Sequence, residues 1–264
     1  MDGRVVVITG ASSGVGAVLA RRVAVLGGRP VLAARRTAEL NEVAAACGPE
    51  SLAVPADVTV RSEVERVRDL ALERFGAIDA WINNAGRGIT RPVSALTDED
   101  VDEMVRVNLK SALYGMQAVL PHFQSRGRGH IVNVSSMLSR IPYASFRSAY
   151  TASKAALNML TANLRMELRA THPGIHVTTV LPGVVATEFG LRALGGGPDS
   201  RALANSQPAE EVAEVIVGVL RAPRAEVYTR PGMREQAAAY YAAEDLGEFE
   251  ARLPGVPPVS PPRP

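Results

Sequence analysis

Tyr150 and Lys154 stand four residues apart in a stretch that reads as helix, which places both side chains on one face. A free phenol, with a pKa of about 10, is a poor acid or base at neutral pH. A nearby ammonium favours the phenolate and lowers that pKa, so the pair can move a proton near pH 7. An isolated pair of this kind would read as a half-buried tyrosine and a surface lysine. Here lysine is scarce: of the 29 basic residues it stands only at 110 and 154, and the rest are arginine. Guanidinium and ammonium differ in shape and acidity, so such a chain can keep lysine where arginine fails. Ser135 and Ser136 follow a β-branched run at 131–134. A hydroxyl there can bond a substrate carbonyl oxygen, with helix capping or turn bonding as the competing role.

A second cluster sits near the N-terminus. The apolar run 5–8 leads into Thr9-Gly10-Ala11-Ser12-Ser13-Gly14-Val15-Gly16, and a helical pattern follows. Glycines allow a tight turn and close approach of a ligand. The start of the helix offers free N–H groups and a positive dipole end, which suits a pyrophosphate. Gly10, Ser12, Ser13, Gly14, Val15 and Gly16 are therefore candidates for binding a dinucleotide, with Gly-x3-Gly-x-Gly spacing. The second strand ends Ala33-Ala34-Arg35-Arg36, with no acid before Glu39. An NAD site usually holds Asp or Glu there for the ribose 2′-OH, whereas arginine matches a 2′-phosphate. Arg35 and Arg36 thus favour NADP(H) over NAD(H), against the alternative of two solvated arginines.

These groups need a scaffold that brings strand ends together. Short β-branched runs alternate with helical stretches, predicting strands at 5–8, 30–34, 51–56, 78–82, 131–134, 176–181 and 226–229. Helices are predicted at 14–26, 37–46, 61–75, 97–124 (capped by Thr97), 149–171 and 208–221 (capped by Ser206). The alternation predicts an α/β fold, a doubly wound parallel sheet with helices on both faces. Residues 1–230 form one domain, including a substrate loop at 187–205 whose stretch 190–205 reads as mobile. Residues 231–264 form a C-terminal extension, and the six prolines from 254 onward predict a flexible end.

The chain of 264 residues is 47% hydrophobic and 21% charged, which excludes a disordered class. A net charge of +2 gives no nucleic-acid or membrane-surface signal. Cys47 is the single cysteine, and His122, His130, His172 and His176 lack metal-ligand spacing, so no metal is expected. Trp81 reads as core. No apolar run approaches the roughly 20 residues of a membrane span, and no cleavable signal is legible. A cytoplasmic protein is the expectation.

Taken together, Thr9-Gly-x-x-x-Gly-x-Gly16, Asp57-Val58, Asn83-Asn84-Ala85-Gly86, Asn108, Ser136, Tyr150-x-x-x-Lys154 and Pro182-Gly183 resemble the short-chain dehydrogenase/reductase family, in the family's order over residues 4–229. The resemblance implies a single Rossmann-type domain with a seven-stranded parallel sheet. It implies hydride transfer between a nicotinamide and a carbonyl or alcohol carbon. Tyr150 would be the proton donor in reduction, and Ser136 would orient the carbonyl. Lys154 would bind the nicotinamide ribose and depress the Tyr150 pKa. Asn108 would hold a relay water through a local helix distortion. Asp57 and Val58 would face the adenine, and Asn84, Ala85 and Gly86 would line the cofactor. Pro182, Gly183, Val185 and Thr187 would cover the nicotinamide. Lys110 has no counterpart and reads as structural. Ser136 lies fourteen residues before Tyr150 where the family shows about thirteen, which keeps Ser135 as the alternate.

The expected substrate is a small carbonyl compound or alcohol. Its pocket would come from 87–96, 137–146 and 189–205, apolar through Met137, Leu138, Tyr143, Phe146, Phe189, Leu191 and Leu194. Arg140, Arg147 and Arg192 could meet an anion there but read as solvated. The long tail after residue 229 is more similar to the carbonyl and hydroxysteroid-type reductases than to acyl-carrier-protein reductases. The family's usual dimer surface, helices 97–124 and 149–171, implies a homodimer or homotetramer. Within the second helix, Ala156, Leu157, Met159, Leu160 and Leu164 could serve core and interface together. A dinucleotide-binding sensor without turnover, or an isomerase or dehydratase on the same fold, is the alternative.

Overall fold

The computed structural model describes residues 1–253. In chain order the elements are β1 (Val5–Thr9), α1 (Gly14–Val25), β2 (Arg29–Ala34), α2 (Thr37–Cys47), β3 (Leu52–Pro55), α3 (Arg61–Phe75), β4 (Ala80–Asn83), α4 (Asp98–Val105) and α5 (Ser111–Arg126). They continue as β5 (Gly129–Val134), α6 (Ser148–Thr171), β6 (Ile175–Leu181), α7 (Ala209–Arg221), β7 (Glu226–Tyr228), α8 (Met233–Ala242) and α9 (Leu246–Glu250). The strands form one seven-stranded sheet in the order β3-β2-β1-β4-β5-β6-β7. Every pairing is parallel. The order reverses between β1 and β4, which opens a crevice at the carboxyl ends of these strands.

The two-residue period of a strand divides the core. Val6 and Ile8 of β1 pack with Leu19, Val23, Leu40 and Ile216, from α1, α2 and α7. Val5 and Val7 face the other way, against Val64, Val67, Val119 and Phe123, from α3 and α5. Sandwiched between two layers, the strands have no wet face and read as continuous apolar runs.

Several boundaries differ from expectation, each for a local reason. The predicted helix 97–124 starts with a true capping box: Asp100 N–H donates to Thr97 Oγ1 at 3.3 Å, and Thr97 N–H to Asp100 Oδ2 at 3.1 Å. A π-turn at Arg106–Lys110 then divides it. Ser206 does not cap α7; that position is held by Pro208. Within segment 190–205, the Leu194 carbonyl accepts from Thr90 N–H at 2.8 Å and Leu194 N–H donates to the Gly88 carbonyl at 2.9 Å. The extension carries two helices, α8 and α9, whose Ala237, Tyr240 and Phe249 pack against Met137, Ile141 and Tyr143. The proline-rich stretch from 254 lies outside the described residues. Among the described residues no helix is long and apolar enough to cross a membrane.

A buried polar chain stitches the sheet to α5 and α6. Trp81 Nε1 donates to Asn83 Oδ1 at 2.8 Å, Asn83 Nδ2 to Asn133 Oδ1 at 2.8 Å, and Asn133 Nδ2 to Thr161 Oγ1 at 2.8 Å. α5 approaches this chain at Gly115, where an added Cβ would collide with the Asn83 amide and the Trp81 indole nitrogen. Alanine would gain up to about 1 kcal/mol in helix propensity. Overpacking against a fixed hydrogen-bonded chain costs more, so Gly115→Ala should destabilise by about 1–3 kcal/mol net. Urea unfolding measures this; an unchanged midpoint would mean that α5 can retreat freely.

Candidate active site

A cleft of about 2000 Å³ runs along the carboxyl ends of the strands. All the residues expected to bind cofactor or act in catalysis line it, except Gly16 and Asn108. Both of these sit just behind the wall. A Cβ on Gly16 would collide with the Gly10 carbonyl oxygen, so Gly16 lets α1 fold back on the turn. Gly10 has φ +67°, and a Cβ there would lie 2.9 Å from Ala85 Cα.

The glycine end fits a dinucleotide phosphate. Ser13 is the N-cap of α1, yet its side chain makes no capping bond among the described residues, and the first turn holds no acid. The first amides of α1 and its positive end therefore face the cleft uncompensated. Arg36 reaches across the turn: Nη2 donates to Ser12 Oγ at 2.9 Å and Ser13 Oγ at 2.6 Å, and Nη1 pairs with Glu39 at 3.1 Å. Arg35 is more exposed and lies 3.9 Å from Asp57. Burial opposes ionisation of Asp57, but hydrogen bonds from Thr59 and the charges of Arg35 and Arg106 hold its carboxyl below the usual range.

At the other end β5 delivers Ser135 and Ser136 with opposite orientations. Ser135 Oγ turns inward, 3.3 Å from the Lys154 carbonyl. Ser136 lines the cleft with Tyr150, and its Oγ accepts from Leu138 N–H at 3.2 Å. Burial pushes the Tyr150 pKa up, while the nearby Ser136 hydroxyl and the Arg147 charge pull against it. The cation acting on the phenol is thus Arg147, a residue read from the sequence as solvated. Lys154 Nζ lies 6.0 Å from the Tyr150 ring centroid and donates to the Val134 carbonyl at 2.8 Å. Burial brings its pKa down from 10.5 to about 8. Lys110 is exposed.

Asn108 is the centre of the π-turn. Its Oδ1 accepts from Arg87 N–H at 2.9 Å, and its Nδ2 donates to the Arg87 carbonyl at 3.0 Å and to Ser153 Oγ at 3.2 Å. The substrate end is apolar as expected, with the Phe189 ring edge-on to Tyr150 at 5.5 Å. Leu194 packs behind Tyr150 without lining the cleft. Sequence reasoning missed the contribution of the extension: Pro231, Met233 and Gln236, next to Arg230, also line the cleft. The spacing of Met233, Ala237 and Tyr240 was the available signal for an amphipathic helix there.

Such a sheet, glycine turn and Ser-Tyr-Lys set define an oxidoreductase. Residues 4–193 match the family model described as short chain dehydrogenase, and the chain belongs to that family. It is 35% identical over 224 residues to an uncharacterized oxidoreductase of Staphylococcus haemolyticus, covering 84% of this chain and 93% of the relative. Among solved structures it is similar to a short chain dehydrogenase/reductase from Burkholderia phymatum in complex with NAD, with TM-score 0.83 and 25% identity, covering 98% of both chains. It also resembles an alcohol dehydrogenase from the archaeon Thermococcus sibiricus complexed with 5-hydroxy-NADP. There the TM-score is 0.75 and the identity 28%, over 86% of this chain and 96% of that one.

Burying the Lys154 ammonium carries a stability cost, since a pKa lowered from 10.5 to about 8 corresponds to roughly 3 kcal/mol at neutral pH. Lys154→Met should therefore stabilise the fold at pH 7 by about 1–3 kcal/mol after loss of the hydrogen bond to Val134, read as a higher urea midpoint. Above pH 8 the folded chain releases this proton while the unfolded chain holds it until about 10.5, so wild-type stability rises with pH and the advantage of the variant shrinks. A pH-independent difference would contradict this account.

Proposed function

We propose that the protein is an NADP(H)-dependent oxidoreductase acting on a carbonyl group or secondary alcohol of a small substrate. The observation that carries this is the convergence of Ser136, Tyr150 and the buried Lys154 on the cleft that also holds the uncompensated N-terminus of α1. Residues 10–16 would hold the pyrophosphate, Asp57 and Val58 the adenine, Asn84, Ala85 and Gly86 the middle of the cofactor, and Pro182, Gly183, Val185 and Thr187 the nicotinamide side. A bound nicotinamide supplies or accepts the hydride. Ser136 Oγ donates to the carbonyl oxygen and fixes its position. Tyr150 gives that oxygen its proton, and burial, by keeping the phenol protonated at neutral pH, suits it to this acid role. Lys154 presents N–H donors for ribose hydroxyls. Asn108, through the π-turn, would hold the water that returns the proton.

Tyr150→Phe should lower kcat at least about 100-fold across a panel of ketones and aldehydes while the dinucleotide still binds. Undiminished reduction would overturn the assignment. Wild-type binding without any turnover would instead mark a sensor.

The preference for NADP(H) rests on Arg35 and Arg36 at the end of β2, where no carboxylate stands ready for a 2′-OH. Arg36, lying over Ser12 and Ser13, is as well placed as Arg35 for a 2′-phosphate. Each charge-assisted bond lost should weaken NADPH about 10- to 100-fold and leave NADH nearly unaffected. kcat/KM for both cofactors in Arg35→Ala and Arg36→Ala tests this, and equal losses with NADH would refute it. Assembly through α4, α5 and α6 completes the proposal, because Met159 and Met166 stand 61% and 72% exposed on α6. Leu157 is buried, and Leu160 and Leu164 pack on the core.

A further inference from the structure

The arginines around the substrate end of the cleft fall into two kinds. Arg87, Arg192, Arg201 and Arg230 each have a carboxylate within reach: Glu103 at 3.3 Å, Glu188 at 2.5 Å, Asp199 at 2.7 Å and Glu211 at 3.3 Å respectively. Arg140, beside the same region, is paired with Glu226. Arg147 differs. It is the most buried of the set, 7% exposed, it lines the cleft, and among the described residues no carboxylate lies within 4.0 Å of its guanidinium. A buried charge without a partner is costly, and proteins seldom retain one without a use.

Its position is firmly built. Arg147 is the N-cap residue of α6, three before Tyr150, so the two side chains emerge on the same side of the first turn. Arg91 N–H donates to the Phe146 carbonyl at 2.7 Å, and Ser148 Oγ donates to the Arg91 carbonyl at 2.6 Å, which fixes the backbone on both sides. The guanidinium makes one hydrogen bond among the described residues, from Nη1 to the Ile89 carbonyl at 3.3 Å. Two glycines keep its surroundings clear. A Cβ on Gly88 would lie 2.9 Å from Nη1, and one on Gly197 would lie 3.1 Å from Nη2. That second point is also 3.1 Å from Thr90 Oγ1, a buried hydroxyl with no hydrogen-bond partner among the described residues. The Gly190 carbonyl oxygen lies 2.8 Å from the same point, so a single carbonyl faces this guanidinium edge and the Thr90 hydroxyl. The mutual influence of the Arg147 and Tyr150 charges agrees with their closeness.

We infer that Arg147 binds a carboxylate of the substrate, so that the reacting carbonyl belongs to a short oxo acid and the reacting alcohol to a hydroxy acid. This rests on the oxidoreductase reading of the same cleft. A carboxylate fits better than a phosphate. A planar fork of two oxygens matches one guanidinium edge, and the neighbouring cations that a dianion would call on are already neutralised. The apolar walls from Phe146, Phe189 and Leu138 leave room for a short aliphatic chain between the two polar ends.

The test is the selectivity between short oxo acids, with the carbonyl α, β or γ to the carboxylate, and their methyl esters. Wild type should show a higher kcat/KM for the acid than for its ester in at least one pair. Arg147→Gln should reduce that acid-to-ester ratio about 10- to 100-fold, and Arg147→Lys should restore part of it. A wild type that favours the esters throughout, or an Arg147→Gln variant that lowers acid and ester in parallel, would overturn the inference and leave the oxidoreductase reading intact. The second of these outcomes is what a merely structural latch to Ile89 would give. A calorimetric titration of the matching hydroxy acids and esters, with dinucleotide present, needs no turnover. Acid-selective binding lost in Arg147→Gln, with no carbonyl reduced, would uphold the anion site and overturn the reductase reading. Equal or absent binding of acid and ester would overturn the anion site.

Discussion

The cleft depends on how tightly the turn after β1 is held to the turn after β4. Thr9 provides the fastening. Its hydroxyl donates to the Ile82 carbonyl at 3.3 Å and accepts from Asn84 N–H at 3.0 Å and Ala85 N–H at 3.1 Å. The Asn84 side chain returns a bond to the Thr9 carbonyl at 2.9 Å. Only a residue without a Cβ fits at position 10, because the backbone of Ala85 is already there. The glycine turn and the opposite wall are therefore one rigid piece. A binding surface made of backbone amides gains its value from being fixed in advance.

The catalytic end is fastened to the same piece through Gly86. A Cβ there would lie 3.1 Å from Asn108 Oδ1 and 3.5 Å from Lys154 Nζ. Asn108 pairs with both sides of the Arg87 peptide and reaches Ser153 on α6, so one amide joins the β4 turn, the π-turn and the catalytic helix. The π-turn interrupts the regular ladder: Ser111 N–H bonds back to the Arg106 carbonyl, and the Val107 carbonyl takes the Ser111 hydroxyl at 2.5 Å instead. Its hydrogen bonding stays largely satisfied, which is how an irregular turn survives in a buried helix.

The fold was legible because the central strands are apolar on both faces and the long helices on one. The alternation from Val5 to Tyr228 therefore allowed few other topologies. Tyr150, Lys154 and the glycine turn were legible because their chemistry needs particular residue types at particular spacings. The choice between Ser135 and Ser136 was not open to spacing. It depends on which hydroxyl the end of β5 turns toward the cleft, and a strand alternates its faces. The division of the long helix by a π-turn left no trace in propensity, since Arg106 to Lys110 are ordinary helix residues. Arg147 was misread for a related reason. Nothing local distinguishes a buried arginine from a solvated one, because its burial comes from residues 88–90 and 189–197, distant in the chain. The helix α8 was overlooked because its apolar residues pack mainly on the turn at 137–143 after β5, far from it in the chain.

The scarcity of lysine has a practical side. Of the two lysine side chains, Lys110 is exposed and Lys154 is enclosed at the floor of the cleft. Reagents directed at side-chain amines thus meet one open target, at the end of the π-turn. A dye or a tether attached to that side chain would sit at one defined place in the fold. Most proteins of this size offer many competing amines and would be anchored at random.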